Sequence, residues 1–261
     1  MFFSRRSAGF LAALIAFLAA GRSIAEPLHL GYPRELYLEQ GPGNFTFDFL
    51  RAAELIIADS GLEVEWMPVP IARVTYLIER HDYLFCLAGA AITKEREEQG
   101  RFTFPYLYDD MVAVVARAER RQQLDRLHSF AELAAGTNSG FFAFRPTTYG
   151  PTFSETLNKL GPRVTYDVTS IEQMLDMIAA RRGDFAILPK TYALNFLATR
   201  RDAEEFTVAS YPDMRRGLDA AFWCNKAVPP EAVAALNAAI TRQASTIRSR
   251  FPHLTRPSPA E

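Results

Sequence analysis

The sequence is short of several things. It holds two cysteines, too few for a fold built on disulfides or for a Cys-rich zinc module. Its four histidines, His29, His81, His128 and His253, are scattered, and none stands in a metal-ligand spacing such as H-x-x-x-H. There is no glycine-rich phosphate loop of the dinucleotide or P-loop type, and Gly136-Thr137-Asn138-Ser139-Gly140 lacks the G-x-S-x-G register of a nucleophile elbow. No sign of charge dominates: 29 Lys+Arg against 30 Asp+Glu leave a formal −1, which gives no reason to expect a nucleic-acid partner. Neither a repeat of short fixed period nor a low-complexity linker interrupts the chain. What remains is 49% hydrophobic, too apolar for a disordered chain, and 261 residues can bury one large core or two lobes of ordinary size.

The first segment has a different character. Met1-Phe2-Phe3-Ser4-Arg5-Arg6-Ser7 is a short basic start, residues 8–20 form an apolar run, and Ser23 and Ala25 take the −3 and −1 positions of an A-x-A-like site. This is a signal-peptide pattern with cleavage expected after Ala25. The run falls short of the roughly 20 residues needed to span a bilayer, and no later segment is apolar enough to do so. Ser4-Arg5-Arg6 resembles the start of a twin-arginine signal, but Ser-Ala-Gly continues it poorly, which favours the general export route. No cysteine follows the apolar run to take a lipid anchor. Cleavage removes three arginines and no acid, so the exported chain is expected to be soluble and mildly acidic, with 26 basic against 30 acidic residues.

Beyond Ala25, β-type runs alternate with helical ones. Leu28-His29-Leu30-Gly31-Tyr32 reads as a strand, and Leu50, Ala53 and Ile57 recur at helical spacing until Gly61. Residues 62–67 alternate as a strand, Ile71, Val74, Leu77 and Ile78 form a second helical stripe, and residues 83–87 form a third strand. This βαβαβ order implies a parallel sheet with helices on its faces. A strand at 111–116 leads into a second α/β set. It has helices near 130–134 and from Tyr149-Gly150-Pro151, β-type runs near 139–144 and 163–166, a helix opened by the Ser170–Gln173 capping box, and a strand at 184–188. A strand at 218–224 and a long helix from Pro229-Pro230 to about Arg250 close the chain. Two α/β lobes of similar size place a cleft where their strand ends meet.

Ile92-Thr93-Lys94-Glu95-Arg96, followed by Arg101-Phe102-Thr103-Phe104-Pro105-Tyr106, resembles the T-x-x-R … F-S-x-P-Y stretch of family 3 extracellular solute-binding proteins, the amino-acid-type periplasmic receptors of ABC importers. Further matches keep the family's order: Phe47-Asp48-Phe49-Leu50, Pro70-Ile71-Ala72-Arg73, Ser129-Phe130-Ala131-Glu132-Leu133, Tyr149-Gly150 and Arg182-Gly183-Asp184-Phe185-Ala186. The resemblance covers essentially the whole chain after the signal. It implies a two-lobed α/β fold of the type II periplasmic-binding-protein kind, each lobe a mainly parallel sheet flanked by helices. Lobe 1 would comprise residues 26–107 and 218–261, lobe 2 residues 108–217, with hinge crossovers near 106–110 and 215–217. A ligand held by both lobes stabilises the closed form, which a membrane permease then recognises.

The same resemblance implies site residues. Arg96 matches the arginine that clamps a ligand carboxylate, a task suited to a planar donor fork, although charged neighbours would equally suit a solvated arginine. Thr147, Thr148, Tyr149 and Gly150 match a second-lobe anion site at a helix start, where Thr148 could also be a plain N-cap. Arg73 corresponds to a pocket-lining position in some branches and reads as well as a surface arginine. Two departures stand out. Gly89-Ala90-Ala91 occupies the place where receptors for α-amino acids carry hydroxyls, and Leu188-Pro189-Lys190 lacks the acid that holds their amino group. A buried ammonium without a carboxylate is costly, so Lys190, Arg96 and Arg73 favour an anionic or polyfunctional ligand. Glu35 and Glu39 either receive a cation or are surface charges. Cys86 and Cys224 lie on strands that this fold makes antiparallel neighbours, which leaves a disulfide or two buried thiols.

The expectation is therefore a monomeric periplasmic binding protein without cofactor, capturing a small polar, carboxylate-bearing molecule by hinge closure for an ABC permease. The rivals are an accessory or sensor module on the same fold, and an enzyme of the cyclohexadienyl dehydratase type. The enzyme would need a cleft carboxylate as general acid or base, for which Glu35 is the one nominee.

Overall fold

The computed structural model describes residues 26–34, 42–43, 47–143, 148–168 and 170–256. The signal segment, Glu35, Glu39 and Thr147 lie outside the described residues.

The first half of the sheet grows from three parallel strands, β1 (Leu28–Pro33), β2 (Val64–Val69) and β3 (Phe85–Ala91), with Leu28 opposite Val64 and Leu30 opposite Cys86. Helices α1 (Asp48–Ser60) and α2 (Ile71–Glu79) are their crossovers. Gly61 ends α1 in the left-handed region with φ 71°, as a glycine C-cap does. The period-2 alternation of β3 divides the core. Cys86 and Ala88 join α1 and the C-terminal helix α9 (Pro230–Arg250) on one face, while Phe85 and Leu87 pack with Val74, Ile78 and Trp223 on the other.

After α3 (Lys94–Gln99) and β4 (Arg101–Phe102), the long strand β5 (Leu107–Arg117) enters the second half. There α4 (Arg121–Asp125) and α5 (Phe130–Gly136) precede β6 (Phe141–Ala143), and α6 (Pro151–Leu160) joins it to β7 (Val164–Thr165). Helix α7 (Ile171–Ala179), β8 (Phe185–Pro189), α8 (Lys190–Thr199) and β9 (Phe206–Ala209) follow, and β10 (Arg215–Cys224) returns the chain to the first half. Strand β6 lies parallel to both β7 and β8, and β5 is antiparallel to β8 and β9. Phe130, Phe141, Phe153 and Phe185 fill the space between helices and sheet. Ser170 opens α7 as expected, its hydroxyl accepting from the Gln173 amide at 3.1 Å.

The strand order is β2-β1-β3-β10-β5-β8-β6-β7, with β4 beside β10 and β9 beside β5. Strands β5 and β10 join the halves, β10 pairing with β3 and β4 and β5 with β8 and β9. They pair with each other through Leu107–Ala220, Tyr108–Asp219, Asp109–Leu218 and Met111–Arg215, with a register shift between Arg215 and Leu218. This corrects two expected boundaries: β5 starts at Leu107 rather than 111, and β10 at Arg215 rather than 218. The crossing segments are held as strands by their mutual ladder, which hydropathy does not register because Asp109, Asp110 and Arg215 are polar. Several elements went unanticipated, among them β4, α4, α8 and β9. Helix α8 starts directly after the buried strand β8 and has only weak apolar periodicity, and β9 is a short strand at the sheet's margin.

Cys86 and Cys224 face each other across the β3–β10 ladder and are bonded, so the free-thiol alternative falls away. The bond joins neighbouring strands β3 and β10 across a sequence separation of 138. Intact mass measured with and without reductant should differ by two hydrogens. The Cys86→Ser, Cys224→Ser double variant should lose about 2–5 kcal/mol of stability in urea unfolding. An unchanged midpoint would show that the crosslink leaves the unfolded state unconstrained.

Candidate functional site

The C-terminal end of β3 delivers Gly89, Ala90 and Ala91 to the junction of the two halves, where they border a cavity of about 360 Å³. This is within the size range of small-molecule sites. Gly89 has φ 69°, and a Cβ there would stand 2.7 Å from the Phe49 ring, so no side chain fits. Thr93 caps α3, its hydroxyl accepting from the Arg96 amide at 3.3 Å. The cap starts a helix whose third residue turns back toward β3. Arg96 Nη1 donates to the Ala91 carbonyl at 3.0 Å, and its guanidinium lies 5.2 Å from the centre of a Trp223 ring. Trp223 Nε1 in turn donates to the Arg96 carbonyl at 3.0 Å, tying α3 to β10. Burial pulls the Arg96 guanidinium below its ordinary pKa, and the charge of Arg216 acts in the same direction. Among the described residues no carboxylate lies within ion-pair distance of Arg96.

The second half contributes Thr148 and Tyr192, and the crossing strand β10 contributes Arg216. Arg216 is 8% exposed. Its Nη1 donates to Asp109 on β5 and its Nη2 to the Thr148 carbonyl at 2.5 Å. Burial raises the Asp109 carboxyl above its ordinary pKa, against the pull of Arg216. The Tyr192 hydroxyl is pushed up to about 12, again by burial first, beside Arg216, Asp109 and Arg96. The rest of the lining is mainly apolar, with Pro33, Ile71, Val74, Leu87 and Trp223 supplying its walls.

Of the expected site residues, Arg96, Gly89, Ala91 and Thr148 come together at this cavity. Four others take different places. Arg73 is exposed and is not among the lining residues, although its neighbours Ile71, Ala72, Val74 and Thr75 are. Lys190 borders a second cavity of about 420 Å³ with Asp109, Asp110 and Met111 of β5, which shares only Gly89 and Tyr192 with the first. Tyr149 is buried and donates its hydroxyl to the Ile187 carbonyl at 2.9 Å. Gly150 is the N-cap of α6, so Thr148 is not; Pro151 follows at the first helical position, where a missing N–H costs nothing. Thr147 and Glu35 lie outside the described residues.

Arg216, Tyr192 and Trp223 were missed. The Arg215-Arg216-Gly217 segment marked a crossover in the sequence, and the alternation of β10, in which Arg216 and Leu218 are buried and Arg215 and Gly217 exposed, was the available signal that one arginine faces inward. Among the described residues no cluster of three or more His, Cys, Asp or Glu could hold a metal ion. None of their helices is long and apolar enough to cross a membrane.

Two half-sheets joined by two shared strands, with a small cavity lined from both halves and from the shared strands, define a two-lobed periplasmic-binding-protein-like fold. Residues 45–243 match the family of bacterial extracellular solute-binding proteins, family 3, and the chain belongs to that family. Its solved relatives share the fold at low identity. An ancestral arginine-binding protein bound to glutamine aligns with TM-score 0.64 and 18% identity over 86% of this chain and 97% of that one. An amino acid ABC transporter substrate-binding protein from Streptococcus pneumoniae, bound to L-arginine, gives 0.63 and 15% over 89% and 96%. An ancestral amino-acid-binding protein described as a precursor of cyclohexadienyl dehydratase gives 0.62 and 14% over 86% and 95%. No curated protein matches the sequence at a significant level.

Gly150 has φ 80° and ψ 158°, and a Cβ there would meet the Arg216 carbonyl oxygen at 2.5 Å. Gly150→Ala should therefore destabilise the protein by about 1–3 kcal/mol in urea unfolding. Gly136→Ala, whose added methyl meets nothing within 4 Å, should not. Equal stability of the two variants would contradict the close approach of α6 to β10.

Proposed function

We propose that this family 3 protein captures a small carboxylate-bearing ligand at the cavity of Arg96 and delivers it to an ABC-type importer. Capture joins two lobes, residues 26–107 with 218–261 and residues 108–217, that close about β5 and β10. The observation that carries this reading is Arg96: a part-buried guanidinium beside a cavity, held by a carbonyl and an indole ring, without a carboxylate partner among the described residues. Such a charge is costly to bury, and an anion from solution relieves that cost with two charge-assisted bonds. Thr148 and Tyr192 supply the hydroxyls of the second lobe. The chain works as a monomer in the periplasm, after loss of residues 1–25, and with no cofactor.

Capture without turnover fits the lining, where the described side chains are apolar, hydroxyl-bearing or cationic, and none of them carries a carboxylate or an imidazole to act as acid or base. The low identity of the dehydratase precursor carries fold and not activity.

A melting screen against carboxylates, amino acids, sugars and polyamines tests the reading. A ligand at 100 times its Kd adds about 2.7 kcal/mol of stability. Carboxylates should shift the melt and sugars and polyamines should not. Arg96→Ala should weaken the best carboxylate by about 2–5 kcal/mol, thirtyfold or more. Unchanged affinity would remove Arg96 from the site, and a panel in which no carboxylate shifts the melt would refute the carboxylate reading.

A further inference from the structure

Arg216 is the group at the cavity that carboxylate capture by Arg96 leaves unused. Its side chain is 6% exposed, and two of its three nitrogens are engaged, Nη1 by Asp109 and Nη2 by the Thr148 carbonyl. The third, Nε, is buried and has no partner among the described residues. A buried N–H left without an acceptor is costly, so native structures ordinarily provide one. Arg216 borders the cavity of Arg96, and that cavity is where an acceptor from solution can enter.

The charge count narrows what enters. Arg216 is matched by Asp109, and Arg96 by nothing among the described residues. Among the described residues one positive charge is left over in a lining whose walls are Pro33, Ile71, Val74, Leu87 and Trp223. A monoanion neutralises it. A zwitterion leaves it standing and sets an ammonium beside two guanidiniums, and a dianion overshoots, each at the expense that unpaired buried charge carries.

We infer that Arg216 is a second anion-binding group of the cleft, its Nε–H forming with Arg96 a two-arginine seat for a monocarboxylate whose remainder is apolar. The inference rests on the carboxylate reading of the same cavity and narrows it. It makes Arg216 a specificity-determining residue that selects against α-amino acids. It also puts one ligand contact on β10 itself, where the same guanidinium holds Thr148 of the second half and Asp109 of the other crossing strand.

Calorimetric titration of the full chain with matched pairs tests this: 3-phenylpropanoate against phenylalanine, and 4-methylpentanoate against leucine, with phenylsuccinate as the dianion. The members of each pair differ only by the α-ammonium. The monocarboxylates should bind at least about tenfold more tightly than the amino acids and the dianion, a factor worth about 1.4 kcal/mol. Arg216→Lys keeps the charge, removes the Nε donor, and should weaken the monocarboxylate about tenfold or more, the worth of one bond to a charged acceptor. Should that variant fail to fold, Asp109→Asn decides. It leaves the guanidinium in place, removes its competing carboxylate, and should tighten monocarboxylate binding. An amino acid that binds as well as its deaminated partner overturns the monoanion class while leaving carboxylate capture intact. An unchanged Kd in Asp109→Asn, or in a folded Arg216→Lys, overturns the role of Arg216. If no carboxylate binds at all, the reading beneath the inference fails with it.

Discussion

The antiparallel pairing of β5 with β10 is the constraint on which the rest depends. These two strands are the path by which the sheet passes from one half to the other: β10 is hydrogen-bonded to β3 and β4 of the first half, β5 to β8 and β9 of the second, and the two to each other. Cysteines bond β10 to β3 at one end, and the Arg216–Asp109 ion pair joins it to β5 at the other. The register shift between Arg215 and Leu218 falls beside that pair, so the ladder is weakest where a buried charge pair ties the strands together. A buried pair of this kind adds little net stability, because desolvation offsets much of the attraction. Its effect is to fix which side chains point at the cavity.

The site follows from that placement. Trp223 and Arg216 come from the same strand, one stacked near the Arg96 guanidinium and the other lining the same cavity from the crossing end. The cavity is thus cationic where the halves meet and apolar along its walls. Gly89, Ala90 and Ala91 keep the β3 side free of side chains that would fill it or add hydroxyls. Relatives whose solved structures hold arginine or glutamine share the frame at 18% identity or less, which carries the architecture and leaves the ligand to the residues present.

Much of the fold was legible because its strands are apolar runs and its helices carry regular stripes. Gly61, Ser170 and Pro230 sit where capping chemistry places them, and the family order of motifs supplied the two crossovers and the adjacency of Cys86 and Cys224. The polar crossing segments were legible as strand-like hinges only through the family resemblance and not from hydropathy, because a ladder between two distant stretches leaves no local trace. The site was half legible. Arg96 and the Gly89–Ala91 segment could be found by motif, whereas Arg216 depends on a pairing partner more than one hundred residues away, Asp109. Lys190 and Arg73 do not line the cavity of Arg96, since a motif gives a residue's place along the chain and not which cavity it borders.

Closure about β5 and β10 is the central claim, and small-angle X-ray scattering of the full chain, free and saturated with a carboxylate that shifts its melting point, tests it most directly. The radius of gyration should fall with ligand, and should fall less in Arg96→Ala at the same ligand concentration. Proven binding with an unchanged scattering profile would contradict it.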